Sequence, residues 1–387
     1  MTPLALELRV RIAQRGPIPF REFMEAALYH PQHGYYSSGC AAIGRRGDFI
    51  TNVSVGPLFG RLLARQFMEM WERLGAPAQW TIVEQGAHRG DFARDALSGL
   101  GEFAPECFAA TRYVIIEPAA VLRAAQETAV AGLPVEWVSS LEELEPFIGV
   151  HFSNELIDAF PVHLAVRGDG PWRERYVDLI EDTFTFTDRP LSEPRLSSRL
   201  SIVDRMPGMD ATFATNPFTA EVNLAALDWL STLATKIQRG AVIAIDYGYT
   251  REQFLERRAG TLSAYADHQR APDPLARPGE IDLTTHVEFT SLLEHAERKG
   301  FRLHTFTDQH RFMVGLGGRH FTDGPTPPAE IRAFKTLMHP GLLGQAFKVL
   351  CLEKGFDASP PHTGLVSIPD RAATSPRLDK TRARRMV

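Results

Sequence analysis

The sequence predicts an α/β protein with a mostly parallel β-sheet, an N-terminal helical extension and an antiparallel β insertion. A β-rich run at residues 80–83 leads through small residues into helical spacing at 90–97. A second such run, 112–116, is followed by a helical pattern at 121–131. This alternation is typical of parallel strands joined by crossover helices. The strongest strand pattern, 241–245, indicates that the same arrangement resumes late in the chain.

Composition limits the class of protein. With 387 residues and 44% apolar content, the chain can form one large domain with an insertion, or two domains. The formal net charge of −5 argues against a sequence-independent nucleic-acid binder. Cys40, Cys107 and Cys351 are far apart and lack metal-ligand spacing, so we expect a reducing compartment and no metal site.

The sequence also bears on location. No apolar run approaches the roughly 20 residues that a membrane-spanning helix needs. The first 16 residues mix Glu7 with three arginines among apolar positions, which suits neither a secretory signal nor a mitochondrial presequence. We therefore expect a soluble cytoplasmic protein.

Residues 1–75 predict an N-terminal helical region. Helices are expected at 4–13, 20–28 and 58–74, with a fixed aromatic loop at 29–36. Packing against the core is the simpler interpretation of that loop, and a substrate surface is the alternative. A glycine-flanked polar loop follows at 44–51.

Residues 76–162 predict the first part of the α/β core, with further strands at 136–138 and 149–153. From 163 to 215 the pattern changes to short alternating runs separated by Gly and Pro. We interpret that segment as an antiparallel β insertion.

Residues 216–355 predict the second part of the core. We expect helices at 219–238, from a cap at Thr284 or Thr285 to 299, and at 330–338, with strands at 301–307 and 347–352. The long loop at 258–283 has the composition of a lid or a disordered segment. The stretch 356–387 predicts a disordered basic tail, because it carries six Lys and Arg against three Asp and is rich in Pro, Ser and Thr.

The turn after the first core strand is the first candidate ligand site. Its spacing, Glu84-x-Gly86-x-His88-x-Gly90, does not match the dinucleotide fingerprint and is closer to the E-x-G-x-G-x-G turn of S-adenosylmethionine-dependent methyltransferases. Glycines let the backbone approach a ligand, and the helix start offers free N–H groups. His88 stands where that pattern has its middle glycine, and its side chain narrows the space for the methionine part of the cofactor. A structural bend or another nucleotide site remains an alternative.

Acids follow two further strands. Glu117 ends the second core strand, where an acid can accept hydrogen bonds from both ribose hydroxyls of a nucleotide; a solvated strand end is the alternative. Asn154, Glu155 and Asp158 follow the fourth strand, at the sheet edge where parallel sheets bind ligands. If a helical turn begins there, Glu155 and Asp158 share one face, although this group could simply cap a helix.

Several short stretches, in order, resemble the MidA family, and the likeness spans roughly residues 4–354. They are Gly16-Pro-Ile-Pro-Phe-Arg-Glu-Phe-Met24, Tyr29-His-Pro with Gly34-Tyr-Tyr36, Gly47-Asp-Phe-Ile-Thr51, Asn154-Glu155 with Asp158-Ala-Phe-Pro161, Asp246-Tyr-Gly-Tyr249, Gly260-Thr-Leu262 and Pro278-Gly-Glu-Ile-Asp282. The resemblance implies a class I, Rossmann-like methyltransferase core that binds S-adenosyl-L-methionine. The family includes the mitochondrial complex I assembly methyltransferase of eukaryotes, which methylates an arginine of a complex I subunit.

The resemblance also implies roles for individual residues. Those expected at the cofactor are Gly47, Asp48, Phe49, Thr51, Glu84, Gly86, His88, Gly90, Glu117 and Pro118. Asn154, Glu155 and Asp158 would face the methyl group and the incoming guanidinium. The two acids would hold that cation and receive its proton, and the Asn154 oxygen would orient an amino group. Asp246 is a lesser candidate for the same pocket.

We therefore expect an S-adenosylmethionine-dependent protein arginine methyltransferase that acts on a protein partner such as a respiratory complex I subunit. The alternative is a catalytically inactive assembly factor or scaffold with the same fold, and a dinucleotide-dependent oxidoreductase is a distant third. We expect no nucleic-acid partner, and a homodimer is conceivable. If the chain is eukaryotic, the resemblance implies the mitochondrial matrix.

Overall fold

The structure is a computed structural model that describes residues 1–38, 51–206, 217–266, 269–321 and 326–356. Its strands are β1 Ile18–Pro19, β2 Trp80–Gln85, β3 Thr111–Ile116, β4 Val135–Val138, β5 Phe147–Asn154, β6 His163–Arg167, β7 Arg173–Ile180, β8 Thr183–Arg189, β9 Phe218–Val222, β10 Ile237–Tyr249, β11 Ser263–Ala266, β12 Gln269–Arg270, β13 Asp282–Thr284, β14 Val287–Glu288, β15 Arg302–Asp308 and β16 Phe347–Lys354. Its α-helices are α1 Pro3–Arg15, α2 Phe20–Tyr29, α3 Leu58–Arg73, α4 Asp91–Phe103, α5 Pro105–Ala110, α6 Ala120–Ala129, α7 Pro194–Asp204, α8 Leu224–Lys236, α9 Arg251–Leu255, α10 Phe289–Arg298, α11 Gln309–His320 and α12 Pro328–Met338.

The main sheet has the order β15-β16-β10-β5-β2-β3-β4. Strands β10, β5, β2, β3 and β4 are parallel neighbours, which confirms the predicted parallel core. Strand β16 runs antiparallel to both β10 and β15. The chain reverses its direction of winding between β2 and β5, so their carboxyl ends form the crevice in which such sheets bind ligands.

Both faces of this sheet are covered by helices. Successive side chains of β2 alternate between the two apolar layers, with Ile82 on one side and Val83 on the other. On the side of α3 and α4, the rings of Phe92 and Phe152 stack with centroids 4.2 Å apart, and Phe67 meets both rings edge-on. This packing fixes α4, and with it the turn that precedes the helix.

The antiparallel insertion forms a second sheet of order β1-β7-β6-β9, with β8 paired to β7. Two of its strands lie outside residues 163–215: β1 precedes the core, and β9 follows. The sequence-based helix from Thr219 is therefore wrong at its start, because residues 218–222 pair with β6 and the helix begins at Leu224, capped by Asn223. The boundaries of the insertion at residues 163 and 215 stay a prediction.

The predicted lid-like loop at 258–283 contains regular structure. Strands β11, β12 and β13 form a small antiparallel sheet within and just after it. The helix expected from Thr284 or Thr285 begins only at Phe289, since residues 282–284 and 287–288 are strands and Glu288 is the N-cap. Helix α11 has no counterpart among the sequence-based elements.

The N-terminal helices pack on the insertion. Leu4, Leu8 and Ile12 of α1 and Phe20 and Phe23 of α2 join one apolar cluster with residues of β6, β7, β11 and β13. The packing of α2 therefore fixes the start of the aromatic loop that follows this helix. Its Tyr35 is buried in the same cluster, in agreement with the packing interpretation.

The described residues lack two kinds of feature. None of the helices there has the length and apolar character needed to cross a membrane. No group of three or more His, Cys, Asp or Glu side chains in the same part of the chain is arranged to hold a metal ion. The predicted basic tail lies outside the described residues apart from Phe356.

Gly260 should be essential for the turn that leads into β11. It has φ +80°, and a Cβ atom there would lie 2.3 Å from Oε1 of Glu221, the oxygen that accepts from the Leu262 N–H. We expect Gly260→Ala to lower the free energy of unfolding by more than the roughly 1–2 kcal/mol of a left-handed alanine. Gly132→Ala is the matched control, because φ is +82° and no atom lies within 4 Å. Equal losses in urea unfolding would contradict the expectation.

Candidate functional site

A cavity of about 1100 Å³ opens at the carboxyl ends of β2, β3, β5 and β10. Its walls combine the strand ends with the N-terminal aromatic loop and the β13 region. The predicted site residues on its walls are Thr51, Glu84, Gly86, His88, Glu117, Pro118, Asn154, Glu155 and Asp158. The acids at the tips of three strands therefore converge on one cavity.

The glycine turn uses backbone angles that few residues accept. Gly86 and Gly90 have φ +82° and +84°, and His88 has φ +45°, in the left-handed region. A Cβ on Gly86 would make only ordinary contacts, with the Leu156 side chain at 3.5 Å and the Asn154 carbonyl oxygen at 3.9 Å, so the Gly86 backbone is open towards the cavity. Gly90 is not on the cavity wall and instead precedes α4 as its N-cap. His88 lies on the wall and leaves the cavity open.

Glu84 is held inside the sheet. Its side chain is 3% exposed, and the Tyr113 hydroxyl donates to Oε2 at 2.7 Å. Burial raises the pKa of Glu84 to about 8, and the nearby Asp91 adds to the rise, against the lowering effect of the Tyr113 hydrogen bond. Glu84 therefore shapes the end of β2 mainly as a protonated acid at neutral pH.

Glu117 is oriented by two donors. The Ala119 N–H donates to Oε1 and Nε2 of Gln126 donates to Oε2, each at 2.9 Å. Gln126 also donates to the His88 carbonyl at 2.9 Å, so it joins the glycine turn to Glu117. Burial raises the pKa of Glu117, and the two hydrogen bonds oppose that rise. Each carboxylate oxygen keeps lone-pair capacity for a hydroxyl donor.

The Asn154–Asp158 group forms a bent turn. Residues 155–160 are not helical, so the pattern of two acids on one helix face is wrong, and no helix follows for them to cap. Glu155 has φ +54°. The backbone N–H groups of Leu156, Ile157 and Asp158 all donate to Oδ2 of Asp246, at 3.2, 2.8 and 3.3 Å. Asp246 thus stabilises this turn from behind and is not on the cavity wall.

Glu155 is a partly buried carboxyl whose pKa is raised to about 8. Burial is the main cause, and the Coulombic effects of Asp246 and Asp282 add to it. Nδ2 of Asn154 donates to Oε1 of Glu155 at 2.8 Å and lowers the pKa. The Asn154 oxygen accepts from Asn52 at 2.8 Å, so Asn154 supports Glu155 and its oxygen is already in use.

Two further acids, Asp158 and Asp282, lie beside Glu155. Burial raises the pKa of Asp158, and Asp246, Glu155 and Asp282 raise it further. Asp282, on β13, is buried on the cavity wall and accepts from the Tyr36 hydroxyl at 2.8 Å. Within the described residues, Glu155 and Asp158 form no ion pair with a lysine or arginine. The carboxyl groups therefore leave room for a cation from outside.

Two tyrosines form an aromatic wall beside these acids. The Tyr29 and Tyr36 rings are stacked, with centroids 5.7 Å apart and an interplanar angle of 27°. The Tyr29 hydroxyl donates to the Ala159 carbonyl at 3.0 Å. Tyr35 packs in the core, as the simpler interpretation of the aromatic loop predicts, and Tyr29 and Tyr36 line the cavity. A substrate surface at this loop stays a prediction.

The sequence-based site is partly recovered and partly incomplete. Gly47, Asp48 and Phe49 lie outside the described residues. His286, which falls within the helix expected from Thr284 or Thr285, is not helical and lies on the cavity wall. Sequence reasoning missed Asn52, Gln126 and the roles of Tyr36 and Asp282. None of these carries a local signal, although the Tyr36 and Asp282 stretches belong to the motifs that carry the family resemblance.

Comparisons with known proteins agree with this geometry. A family model described as "Putative S-adenosyl-L-methionine-dependent methyltransferase" matches residues 62–307. The mitochondrial protein arginine methyltransferase NDUFAF7 homolog of Drosophila melanogaster is 28% identical over 393 residues, which cover 91% of this chain and 85% of that protein. Human mitochondrial protein arginine methyltransferase NDUFAF7 is 25% identical over 389 residues, covering 91% and 83%.

A solved structure extends the likeness to the whole fold. The crystal structure of a COG1565 superfamily member from Burkholderia thailandensis, bound to S-adenosyl-homocysteine, superposes with a TM-score of 0.82. The two sequences are 30% identical, and the match covers 95% of each chain. A native crystal structure from the same superfamily and organism gives a TM-score of 0.81 at the same identity.

Glu84 should make stability depend on pH. Because the folded-state pKa of Glu84 is raised to about 8, its contribution to the free energy of unfolding is fully present below about pH 4.5. That contribution is lost as the pH rises through 8. At about 1.4 kcal/mol per pKa unit, we expect Glu84→Gln to stabilise the fold by a few kcal/mol at pH 8 and little at pH 4.5. Denaturant unfolding at both pH values measures this. The exposed Glu106→Gln is the control, and an equal effect of Glu84→Gln at both pH values would contradict the expectation.

Proposed function

The chain belongs to this family of S-adenosyl-L-methionine-dependent methyltransferases, and we propose that it transfers the methyl group to an arginine side chain of a partner protein. The observation that carries the proposal is the pair Glu155 and Asp158, two acids without a cationic partner in the described residues, next to the cofactor-type turn. The names of the curated relatives support the choice of arginine.

The residues present fit the cofactor. The Gly86 backbone is open to the cavity, and Glu117 has both oxygens oriented with capacity for the two ribose hydroxyls. The cavity of about 1100 Å³ exceeds the common range of about 300–1,000 Å³ for a small-molecule site, so it can hold a cofactor and a substrate side chain together. We propose that Thr51, Glu84, Gly86, His88, Glu117 and Pro118 surround the cofactor.

The cofactor supplies a methyl group on a sulfonium sulfur, which is transferred by displacement to a nucleophilic nitrogen. The protein contributes alignment and a site with little water. A guanidinium is charged at every ordinary pH, so carboxylates are needed to hold it in the correct plane. Glu155 and Asp158 supply them on one side, and Tyr29 and Tyr36 offer aromatic faces on another.

Transfer also releases a proton. One nitrogen–carbon bond forms, the sulfur–carbon bond breaks, and the proton of that nitrogen must leave for the product to keep a single positive charge. Glu155 is the proposed acceptor, because burial raises its pKa to about 8, close to the working pH at which a general base is most effective. Asn154 holds the Glu155 carboxylate during this step.

We propose a respiratory complex I subunit as the partner that carries the arginine, on the resemblance to the complex I assembly methyltransferase of eukaryotes. The curated relatives are named as mitochondrial, and for this chain we propose the bacterial cytoplasm. Residues 1–75 are the proposed N-terminal helical region with a cofactor-covering loop, and the insertion at 163–215 is the proposed substrate region. Residues 76–162 with 216–355 form the proposed methyltransferase core. An inactive scaffold is the rival interpretation, and the open cavity at His88 speaks against it.

Glu117 should control cofactor affinity. A hydrogen bond to a charged group contributes about 1.5–3 kcal/mol, so we expect Glu117→Gln to weaken S-adenosylhomocysteine binding by roughly tenfold to 150-fold in calorimetry. The exposed Glu127→Gln on the same region of the chain is the control. Absence of binding by the unmodified protein at millimolar ligand would remove the enzyme interpretation.

Glu155 should control methyl transfer without controlling cofactor binding. In a strain lacking the gene, we expect mass spectrometry of purified complex I to show loss of one methylarginine. Complementation should restore it, and Glu155→Gln should lower the rate of its appearance by about 10²–10⁴-fold, the usual contribution of a general base. Asp158→Asn should act in the same direction, and the exposed Glu136→Gln should behave as the unmodified protein. A normal rate with Glu155→Gln would exclude this residue as the proton acceptor.

A further inference from the structure

A chain of hydrogen-bonded side-chain amides connects helix α11 to Glu155. Nε2 of Gln309, on α11, donates to Oδ1 of Asn52 at 2.7 Å. Nδ2 of Asn52 donates to Oδ1 of Asn154 at 2.8 Å, and Nδ2 of Asn154 donates to Oε1 of Glu155 at 2.8 Å. Asn52 and Gln309 are both 0% exposed. Three amides thus separate the surface helices α11 and α12 from the proposed proton acceptor.

The direction of this chain is fixed at its far end. Nε2 of Gln309 also donates at 3.0 Å to the backbone carbonyl of Leu337, which can only accept. Gln309 must therefore donate from its NH₂ group both to that carbonyl and to Asn52, so Asn52 must accept through its side-chain oxygen. Asn52 then presents its NH₂ group to Asn154, and Asn154 presents its own to Glu155. Each amide has one orientation because the one before it does.

This direction matters because of what else surrounds Glu155. Asp158, Asp246 and Asp282 are the acids that interact with it electrostatically, and Tyr247 lies close enough for its own pKa to be raised by Glu155. The groups that favour the ionised form are the Asn154 amide and the backbone N–H of Asn52, both of which lower the pKa of Glu155. A reversed amide would turn a carbonyl oxygen towards Glu155 and disfavour its charge.

We infer that Asn52 and Gln309 are positioning residues that keep the NH₂ group of Asn154 turned towards Glu155, so that this carboxyl is available as the proton acceptor. The inference rests on the proposed function for its catalytic meaning. Asn52 also connects the two parts of the proposed site, because it directly follows Thr51, which lines the cavity and which we place beside the cofactor.

Two substitutions at Asn52 separate this role from an effect of charge. Asn52→Asp accepts from Gln309 and from Asn154, so Asn154 must turn its oxygen to Glu155. Asn52→Ala adds no charge and removes the fixed orientation. Gln309→Met removes the anchor at a distance from Glu155. If the chain sets the ionisation of Glu155, all three variants raise its titration midpoint, whereas added charge alone would act only in Asn52→Asp.

The test is carbon-13 NMR of protein labelled at the glutamate side-chain carboxyl carbons, with the Glu155 signal assigned by its loss in Glu155→Gln. Loss of one hydrogen bond to a charged group corresponds to about one to two pH units, so we expect Asn52→Ala and Gln309→Met to raise the midpoint by up to that amount, and Asn52→Asp by more. S-adenosylhomocysteine binding should stay within about twofold of the unmodified protein.

Thr111→Ala is the control for a purely structural effect. It removes buried hydrogen bonds to Trp80 and the Cys107 carbonyl, far from Glu155 in the fold. It should lower stability and leave the Glu155 midpoint unchanged. An unchanged midpoint in Asn52→Ala would overturn the inference, and so would an equal shift in Thr111→Ala. Absence of methylation by the unmodified protein would instead refute the proposed function, and normal methylation by Glu155→Gln would exclude only Glu155 as the proton acceptor; the NMR midpoint does not depend on turnover.

Discussion

The carboxylate of Asp246 is the interaction on which the site depends. It lies at the end of β10, beside the end of β5, and accepts the N–H groups of three successive residues in the turn that follows β5. Burial raises the pKa of Asp246 to about 7, and the three donors on one oxygen, with the Tyr247 N–H on the other, oppose that rise by favouring the ionised form. The turn can therefore keep Glu155 in a left-handed conformation without a helix to support it.

An ionised Asp246 makes the neighbouring acids harder to ionise. Asp158 interacts directly with it, and like charges at short range in a buried site cannot all be present. The same carboxyl that stabilises the turn thus raises the pKa values of the groups that the turn carries into the cavity. Acids that are poised to lose or take a proton near neutral pH are typical of functional sites and lower the stability of the fold.

The sequence predicted the cofactor side better than the acceptor side, for a physical reason. Strand, turn and helix at residues 80–103 are local, and their pattern is visible in consecutive residues. Strand β9 was mistaken for helix because its residues merge with the apolar pattern of α8, and only pairing with β6 distinguishes them. Helix α11 was missed because its three glycines disfavour a helix. Packing compensates, and at Gly317 a Cβ would lie 2.4 Å from the Phe334 ring.

The acceptor side is assembled from stretches far apart in the chain. Tyr36, Asn52, the Asn154–Asp158 turn, Asp246 and Asp282 meet only after the N-terminal helices have packed on the insertion and β13 has closed the small sheet. No pattern of consecutive residues in the sequence predicts such a site. In the proposed site, the residues assigned to the methyl donor therefore come largely from one strand-turn-helix unit with Glu117, whereas those assigned to the methyl acceptor come from the whole fold. A substitution at Tyr36 would alter the proposed acceptor side first, because the strand-turn-helix unit does not need Tyr36 to form.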